Sequence, residues 1–393
     1  MSHKLIDLNE VLSKLVREDY KIEITDGQLF VHHVPYLNSN KDFSLGTLIM
    51  PIETSGDIVL RPSSHTAKWA GEFPNNIKGE KLPSLENSEI NENVGNGIYA
   101  NFFFSCHPED PKGYKDFYEK VKTYYLYISS PARELYPEKF KRAKTMDLKE
   151  NNDSSLVYDD TNASRAQIVG INEILKNQKI AIIGLGGTGS YVLDYLAKCP
   201  VAEIHLFDKD FFNTHNAFRS PGAPSVETLR KQPFKVDYFA SVYKNMHKHI
   251  IPHVDEITCS NIENLKSFTF VFVCIDNAEI RKQIADRLIG LNIPFVDSGI
   301  GVENSNNQLC GLIRVTTGME GHYNHLNHSL NCGIEEENNE YSTNIQIAEL
   351  NSLAAVLSII KWKRMSGFYT DTTNKDFSFV YSIANNVIIS NES

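Results

Sequence analysis

The sequence predicts an α/β fold, a Rossmann-like, doubly wound and mostly parallel sheet, preceded by a smaller α+β domain. Three observations carry this. Residues 179–210, KIAIIGLGGTGSYVLDYLAKCPVAEIHLFDKD, pass from an apolar run through a glycine-rich turn and an amphipathic segment into a second apolar run that ends in acid. From Ser164 onward, strand-length apolar runs alternate with helical periodicity. Ahead of that point, turn dipeptides between β-rich runs mark hairpins.

In chain order, Leu8, Val11, Leu12, Leu15 and Val16 stand at helical spacing. Residues 20–34 are two β-rich runs around Asp26-Gly27, and 46–60 read as a second hairpin turning near Gly56-Asp57. Residues 70–100 are polar and rich in Asn, Gly and Pro, which predicts mostly loop; 114–136 predict a helix packed through aromatics. This first domain is expected over 1–142. Residues 143–163 have a linker composition, and the second domain follows over 164–393. Its elements are expected as a helix (165–177), a strand (179–184), a helix (188–198), a strand (203–208) and a helix (233–248). A strand (269–275), a helix (278–291), a strand (294–297) and a β-pair (298–316) come next. A polar stretch (317–341), a long helix (343–365) and a β-rich tail end the chain. No internal repeat is present.

Composition narrows the function. The chain has 49 acidic against 39 basic residues, a formal charge of −10, which argues against nucleic acid as the main partner. Residues 1–19 lack the apolar core of a secretory signal, and no run approaches the roughly 18 apolar residues of a membrane span. That lack of a membrane-length run predicts no membrane association, and the six cysteines, scattered without a CxxC pair, predict free thiols in a reducing cytoplasm.

Gly184, Gly186 and Gly189 satisfy GxGxxG at a strand-to-helix turn, where helix N–H groups and dipole attract phosphate. Asp208, nineteen residues beyond Gly189, ends the second strand, where a carboxylate can hold ribose hydroxyls. To this point an NAD(P)-dependent oxidoreductase fits equally well. The following residues separate the readings. Asn216 and Arg219 sit on a polar loop, Lys231 and Lys235 stand at a helix start, and an apolar strand ends in Cys274-Ile275-Asp276-Asn277 with Arg281 beyond. Hydride transfer has no use for Arg, Lys and Asp at the triphosphate end. Adenylyl transfer uses cations against charge developing on the phosphates and a carboxylate to hold Mg²⁺.

These motifs resemble the ThiF/MoeB/ubiquitin-activating-enzyme superfamily of E1-like adenylyltransferases. The matching residues are Gly184-Leu185-Gly186-Gly187-Thr188-Gly189-Ser190, Asp208-Lys209-Asp210, Asn216 to Arg219, Lys235 and Asp276-Asn277 to Arg281, within roughly 164–365. The resemblance implies ATP and Mg²⁺, with Arg219, Lys235 and Asp276 catalytic and Asp276 on the metal. It also implies a homodimer in which Arg165 reaches the partner's site. The implied reaction is adenylation of the C-terminal carboxylate of a ubiquitin-like or sulfur-carrier protein, with adenylation of a peptide or small molecule as the alternative. Ser220 stands where the family usually has Gln, and the interval to Lys235 is long, so Lys231 rivals Lys235. The CxxC zinc ligands of many relatives are missing.

Thioester-forming relatives carry their cysteine near the position of Cys332, which makes it the candidate acyl acceptor. His322, His325 and His328 in the same loop could ligate metal; a polar lid over the substrate tail is the preferred reading. Cys199, Cys274 and Cys310 read as core. In some relatives a ubiquitin-conjugating-like domain comes first. Cys106, in NFFFSCHPEDP, would then be the receiving thiol, but a buried strand end is the preferred reading. Partner recognition is the other role for this domain, including docking of a conjugating-type partner.

Overall fold

The computed structural model describes residues 2–108, 110–146, 154–326, 345–372 and 377–390. They form two compact units, 1–154 with 158–173 and 155–157 with 174–393.

The first unit opens with helices α1 (Ser2–Leu8) and α2 (Glu10–Arg17). Strands β1 (Lys21–Thr25), β2 (Gln28–Leu37), β3 (Phe43–Pro51), β4 (Thr54–Ser55), β5 (Ile58–Val59), β6 (Thr66–Ala70), β7 (Glu86–Asn93) and β8 (Tyr99–Ser105) follow. Helices α3 (Phe117–Leu135), α4 (Pro137–Thr145), α5 (Thr161–Arg165) and α6 (Val169–Asn172) complete it. Six strands form an antiparallel sheet in the order β1-β2-β3-β6-β8-β7. Asp26 and Gly27 both take positive φ, 51° and 68°, as a tight two-residue hairpin requires. Leu12 and Leu15 of α2 and Phe117, Val121, Tyr124 and Ile128 of α3 join Leu29, Val31, Trp69 and Phe104 in one buried core.

Four expectations change here. The Gly56-Asp57 turn closes only the short β4–β5 ribbon, while β3 pairs with β2 and β6. Residues 86–105, mostly inside the expected loop, are β7 and β8. β7, ENSEINEN, is an edge strand, and an edge needs no apolar alternation to pair. The helix expected over 165–177 is broken into α5, α6 and a 3-10 turn (Glu173–Leu175), with Gln167 at φ 60° between the first two. Residues 158–173 pack with the first unit, so the division falls after the expected 164.

The second unit begins with β9 (Lys179–Ile183), α7 (Gly187–Leu196), β10 (Glu203–Phe207), α8 (Thr214–Ala217), α9 (Val226–Arg230), α10 (Lys235–Tyr243) and β11 (Ile250–His253). It continues through β12 (Phe270–Val273), α11 (Ala278–Gly290), β13 (Phe295–Ser305), β14 (Gln308–Gly318), α12 (Ala348–Met365), β15 (Ser378–Ser382) and β16 (Val387–Ser390). The eight-stranded sheet has the order β11-β10-β9-β12-β13-β14-β15-β16. The first five strands are parallel and the rest antiparallel. From β9 the chain winds first towards β10 and β11, then returns to β12 on the other side. That reversal leaves a crevice beyond the carboxyl ends of β9 and β12. One sheet face carries α7, α10 and α12 around the buried Trp362, whose Nε1 donates to Gln178 Oε1 at 2.8 Å; the other carries α11. No helix among the described residues is long and apolar enough to cross a membrane.

The β9–α7 turn depends on close approach. Gly184 takes φ 88°, and a Cβ on Gly189 would run into the Gly184 carbonyl oxygen. Gly189→Ala should therefore destabilise the second unit by about 3 kcal/mol, read by denaturant unfolding. His247 is fully buried beside this sheet. Its Nε2 donates to Val201 O at 3.0 Å, and Nδ1 accepts from His249 N at 3.2 Å. Burial, chiefly, lowers its pKa to about 4. Because the folded pKa lies below the unfolded value, its stabilisation is present above about pH 6.5 and lost as pH falls towards 4. Acid unfolding should show a loss on the order of 2 kcal/mol across that window, flattened in His247→Gln.

Candidate functional site

The crevice opens into a cavity of about 710 Å³ at the carboxyl ends of β9, β10, β12 and β13. Gly184, Gly186 and Gly187 form its floor, and the chain enters α7 at Gly187, so the first free N–H groups of that helix face it. Gly189 and Ser190 lie beneath. Ser190 is fully buried and its hydroxyl donates to Gly187 O at 2.7 Å, so it braces the turn.

Asp208 ends β10 as expected and holds the turn to the opposite wall. Its Oδ2 accepts from Leu185 N at 2.7 Å, and its Oδ1 accepts from Asp210 N at 2.9 Å. Lys235 opens α10 with its backbone N donating to Asp210 O at 2.9 Å. Its Nζ reaches Asp210 Oδ2 at 2.6 Å and Asp208 at 3.3 Å, with the side chain 8% exposed. Phe234 stacks on Phe211, ring centroids 4.4 Å apart, which pins the start of α10 against the Asp210 loop. Lys231 lies at the C-terminal end of α9, exposed and outside the cavity lining. The structure therefore brings Lys235, not Lys231, to the crevice.

Asn216 is buried and shapes the loop without lining the main cavity. Its Oδ1 accepts from Asn213 N, and its carbonyl accepts from Arg219 N at 3.1 Å and Ser220 Oγ at 2.7 Å. Ser220, which departs from the family pattern, thus closes the loop with a hydrogen bond of its own. Arg219 lines the cavity, and its Nε is buried with no hydrogen-bond partner among the described residues. Burial lowers its pKa, opposed by the negative charge of Asp276. Asp276 is exposed just beyond β12 on the cavity wall, and Asn277 beside it caps α11 by accepting from Ile280 N at 3.0 Å.

Cys274, read as core, lines the cavity beneath the turn; burial pushes its thiol up to about 12, too high for a nucleophile near neutral pH. Cys199 is buried as expected, whereas Cys310 is exposed on β14. Arg165 is exposed on α5 in the first unit. Cys332 and His328 lie outside the described residues. His325 is buried, with Nε2 donating to Thr317 O at 2.7 Å, and both His322 and His325 stack on Phe377. His325 is thus a packed side chain, His322 is exposed and meets Phe377 by stacking, and the rest of that loop, 327–344, lies outside the described residues. No group of three or more His, Cys, Asp or Glu among the described residues could hold a metal. Cys106 follows β8 half-buried, its backbone N donating to Tyr124 OH and its carbonyl accepting from Tyr114 OH.

Sequence reasoning missed Asn351 and Asp297. Asn351, on α12, is buried against Gly187; its Oδ1 accepts from Thr188 Oγ1 at 3.1 Å. Asp297, on β13, is the buried partner of Arg281 and Arg314. Neither carries a local signal, since each matters only through a long-range contact.

Comparison with known proteins agrees with this geometry. Residues 10–161 match the model described as "Domain of unknown function (DUF6791)", and residues 162–359 match that described as "ThiF family". The chain is 28% identical over 138 residues to "Adenylyltransferase and sulfurtransferase UBA4" of Saccharomyces cerevisiae, covering 33% of this chain and 30% of that protein. It is 28% identical over 162 residues to "Ubiquitin-like modifier-activating enzyme 5" of Gallus gallus, covering 38% and 40%. The chain thus spans well under half the length of these relatives. Among solved structures, E. coli MccB with ATP is similar at TM-score 0.46 and 17% identity, covering 78% of this chain and 96% of that one. E. coli MccB with AMPCPP and MccA is similar at TM-score 0.47 and 18% identity, covering 79% and 95%. With its ThiF match extending over half of its length, the chain belongs to the ThiF family of the E1-like adenylation superfamily.

Proposed function

We propose that this protein uses ATP to adenylate the C-terminal carboxylate of a ubiquitin-like or sulfur-carrier-like protein. The observation that carries the reading is the shared cavity: the glycine turn, the buried unpartnered Nε of Arg219, the Lys235 ammonium and the Asp276 carboxylate all face it. A hydride-transfer site has no use for that set of charges. The names of the similar enzymes, an adenylyltransferase and a modifier-activating enzyme, support the same chemistry.

A carboxylate is a poor electrophile and gains a leaving group by attacking the α-phosphorus of ATP. One carboxylate O–P bond forms, the bond from α-phosphorus to the bridging oxygen breaks, and pyrophosphate departs. The turn's N–H groups and the N-terminal end of α7 hold the phosphates, and Asp208 stands where a ribose hydroxyl donates. Arg219 and Lys235 offset the charge that develops on the transferring and leaving oxygens. The hard oxygen of Asp276 suits Mg²⁺, which binds through one or two carboxylates together with substrate phosphates. When bound, that ion neutralises phosphate charge. Exposed Arg165 is available to the site of a second copy, and Cys332 is the proposed thiol for capture of the acyl group.

ATP–pyrophosphate exchange with candidate proteins ending in Gly-Gly tests the reading, and NAD-dependent turnover without exchange would replace it. Lys235→Ala and Asp276→Asn should each lower exchange about 100-fold, whereas Lys231→Ala should leave it within about twofold, since that side chain faces solvent. Cys332→Ala should keep exchange and remove the thiol-sensitive adduct seen by mass spectrometry.

A further inference from the structure

The first unit buries a cation that its own fold leaves without a counter-ion. Lys120, in the first turn of α3, is 1% exposed. Its Nζ donates to Ser64 O at 2.8 Å, and the ammonium's other two donors find no partner among the described residues. Glu53 supports its charge from beyond ion-pair distance, and that carboxylate takes the Ser63 hydroxyl. Burial pulls the Lys120 amine down to about 8, so it stays mostly protonated at neutral pH. The positive end of a helix also disfavours a cation in its first turn. Packing α3 against the sheet would be served by an apolar side chain of the same length, and a buried charge without a partner is costly.

Two imidazoles stand beside this cation. Thr66 opens β6 and pairs with Ser105 at the end of β8, so His65 and His107 lie just past the paired ends of adjacent strands. Their rings stack with centroids 3.8 Å apart and 27° between planes. His65 is half-buried and His107 exposed. Tyr124, one turn beyond Lys120, fixes both strand ends to α3: its hydroxyl donates to His65 O at 2.7 Å and accepts from Cys106 N at 2.9 Å. His65 Nε2 lies 3.1 Å from Ser105 Oγ. Its Nδ1 and both nitrogens of His107 make no hydrogen bond among the described residues. Burial, then the charges of His107 and Lys120, lower the His65 pKa.

The charge balance names the ligand class. Lys120 and one protonated imidazole carry two positive charges, and a second imidazolium in the stack would face both. Three residues beyond His107, Asp110 is committed to its own turn through Lys112 N at 2.8 Å. A phosphate group carries about two negative charges near neutral pH and offers three or more acceptor oxygens. Two stacked rings and the Ser105 hydroxyl present donors from more than one plane, which suits a tetrahedral oxyanion better than a planar carboxylate.

We infer that His65 and His107, backed by the buried Lys120, form a phosphate-binding site in the first unit. His65 and His107 are the contact residues; Lys120 acts through its charge. The site lies wholly in the first unit and is independent of the adenylation reading.

The test is local, because the cavity of the second unit also attracts phosphate. The full chain is treated with diethylpyrocarbonate, which acylates neutral imidazole, and modification of His65 and His107 is followed by peptide mass spectrometry. Inorganic phosphate should slow both by at least about fivefold, as about four-fifths occupancy gives, relative to chloride at equal ionic strength. Lys120→Met keeps the length and apolar body of the side chain and should reduce the slowing at both rings to under about twofold. Should that variant not fold, His107→Ala, at an exposed position, decides: it should remove the slowing at His65. Wild-type slowing of less than about twofold overturns the site. So does equal slowing by chloride or acetate, or slowing retained in either folded variant. O-phosphoserine and inorganic phosphate are compared to identify the source. Equal protection assigns the site to a phosphate carried on a larger ligand, protection by inorganic phosphate alone assigns it to the free ion, and both uphold it.

Discussion

The contact between Gly189 and the Gly184 carbonyl is the constraint on which the rest of the second unit depends. It lets α7 start directly over the end of β9, so the helix N–H groups point into the crevice and not into a loop. The same tightness brings Gly187 under Asn351 of α12, which closes the cradle from above. A side chain at either glycine would lift the helix from the sheet, and the N–H groups at its start would lose their aim.

Around this cradle the charges are tied to one another by short bonds. Asp208 holds a backbone N–H of the turn and the Lys235 ammonium together, so turn and lysine cannot move independently. Asp210 holds Lys235 twice, by its carboxylate and by its carbonyl. At the other end Asp297 holds two arginines from different elements. Partly desolvated charges arranged in this way are pre-aimed, which is what a reaction that moves negative charge requires.

Much of this was legible in the sequence. The β9–α7–β10 unit announces itself because its turn needs glycines at fixed offsets, and offsets within a turn are local properties. Asp208, Lys235 and Asp276 were legible for a similar reason, each standing just past a strand end or at a helix start, whereas Arg219 was legible only from its interval to Asp208 on a polar loop. Other features were hidden. β7 is polar because it is an edge strand and has no second neighbour to bury it. The stretch around 165–177 has helical spacing, yet it breaks at Gln167 and packs largely in the first unit. Cys310 has apolar neighbours in sequence, but the outer part of the β13–β14 hairpin extends into solvent, so those neighbours cover nothing.

The sequence by itself determined the glycine cradle, the parallel core of the sheet and the sign of the charges beside it. These follow from local backbone geometry and hydrophobic periodicity, which a chain carries in its own order of residues. Tertiary structure alone decided which lysine lines the cavity, because Phe234 stacks on Phe211 at the start of α10 and Lys235 is buried there while Lys231, four residues earlier, stays in solvent. It alone joined Arg281, Asp297 and Arg314, and it alone set Asn351 over Gly187. Those pairings depend on strand order and helix docking, contacts between residues far apart in the chain that no short stretch of sequence specifies.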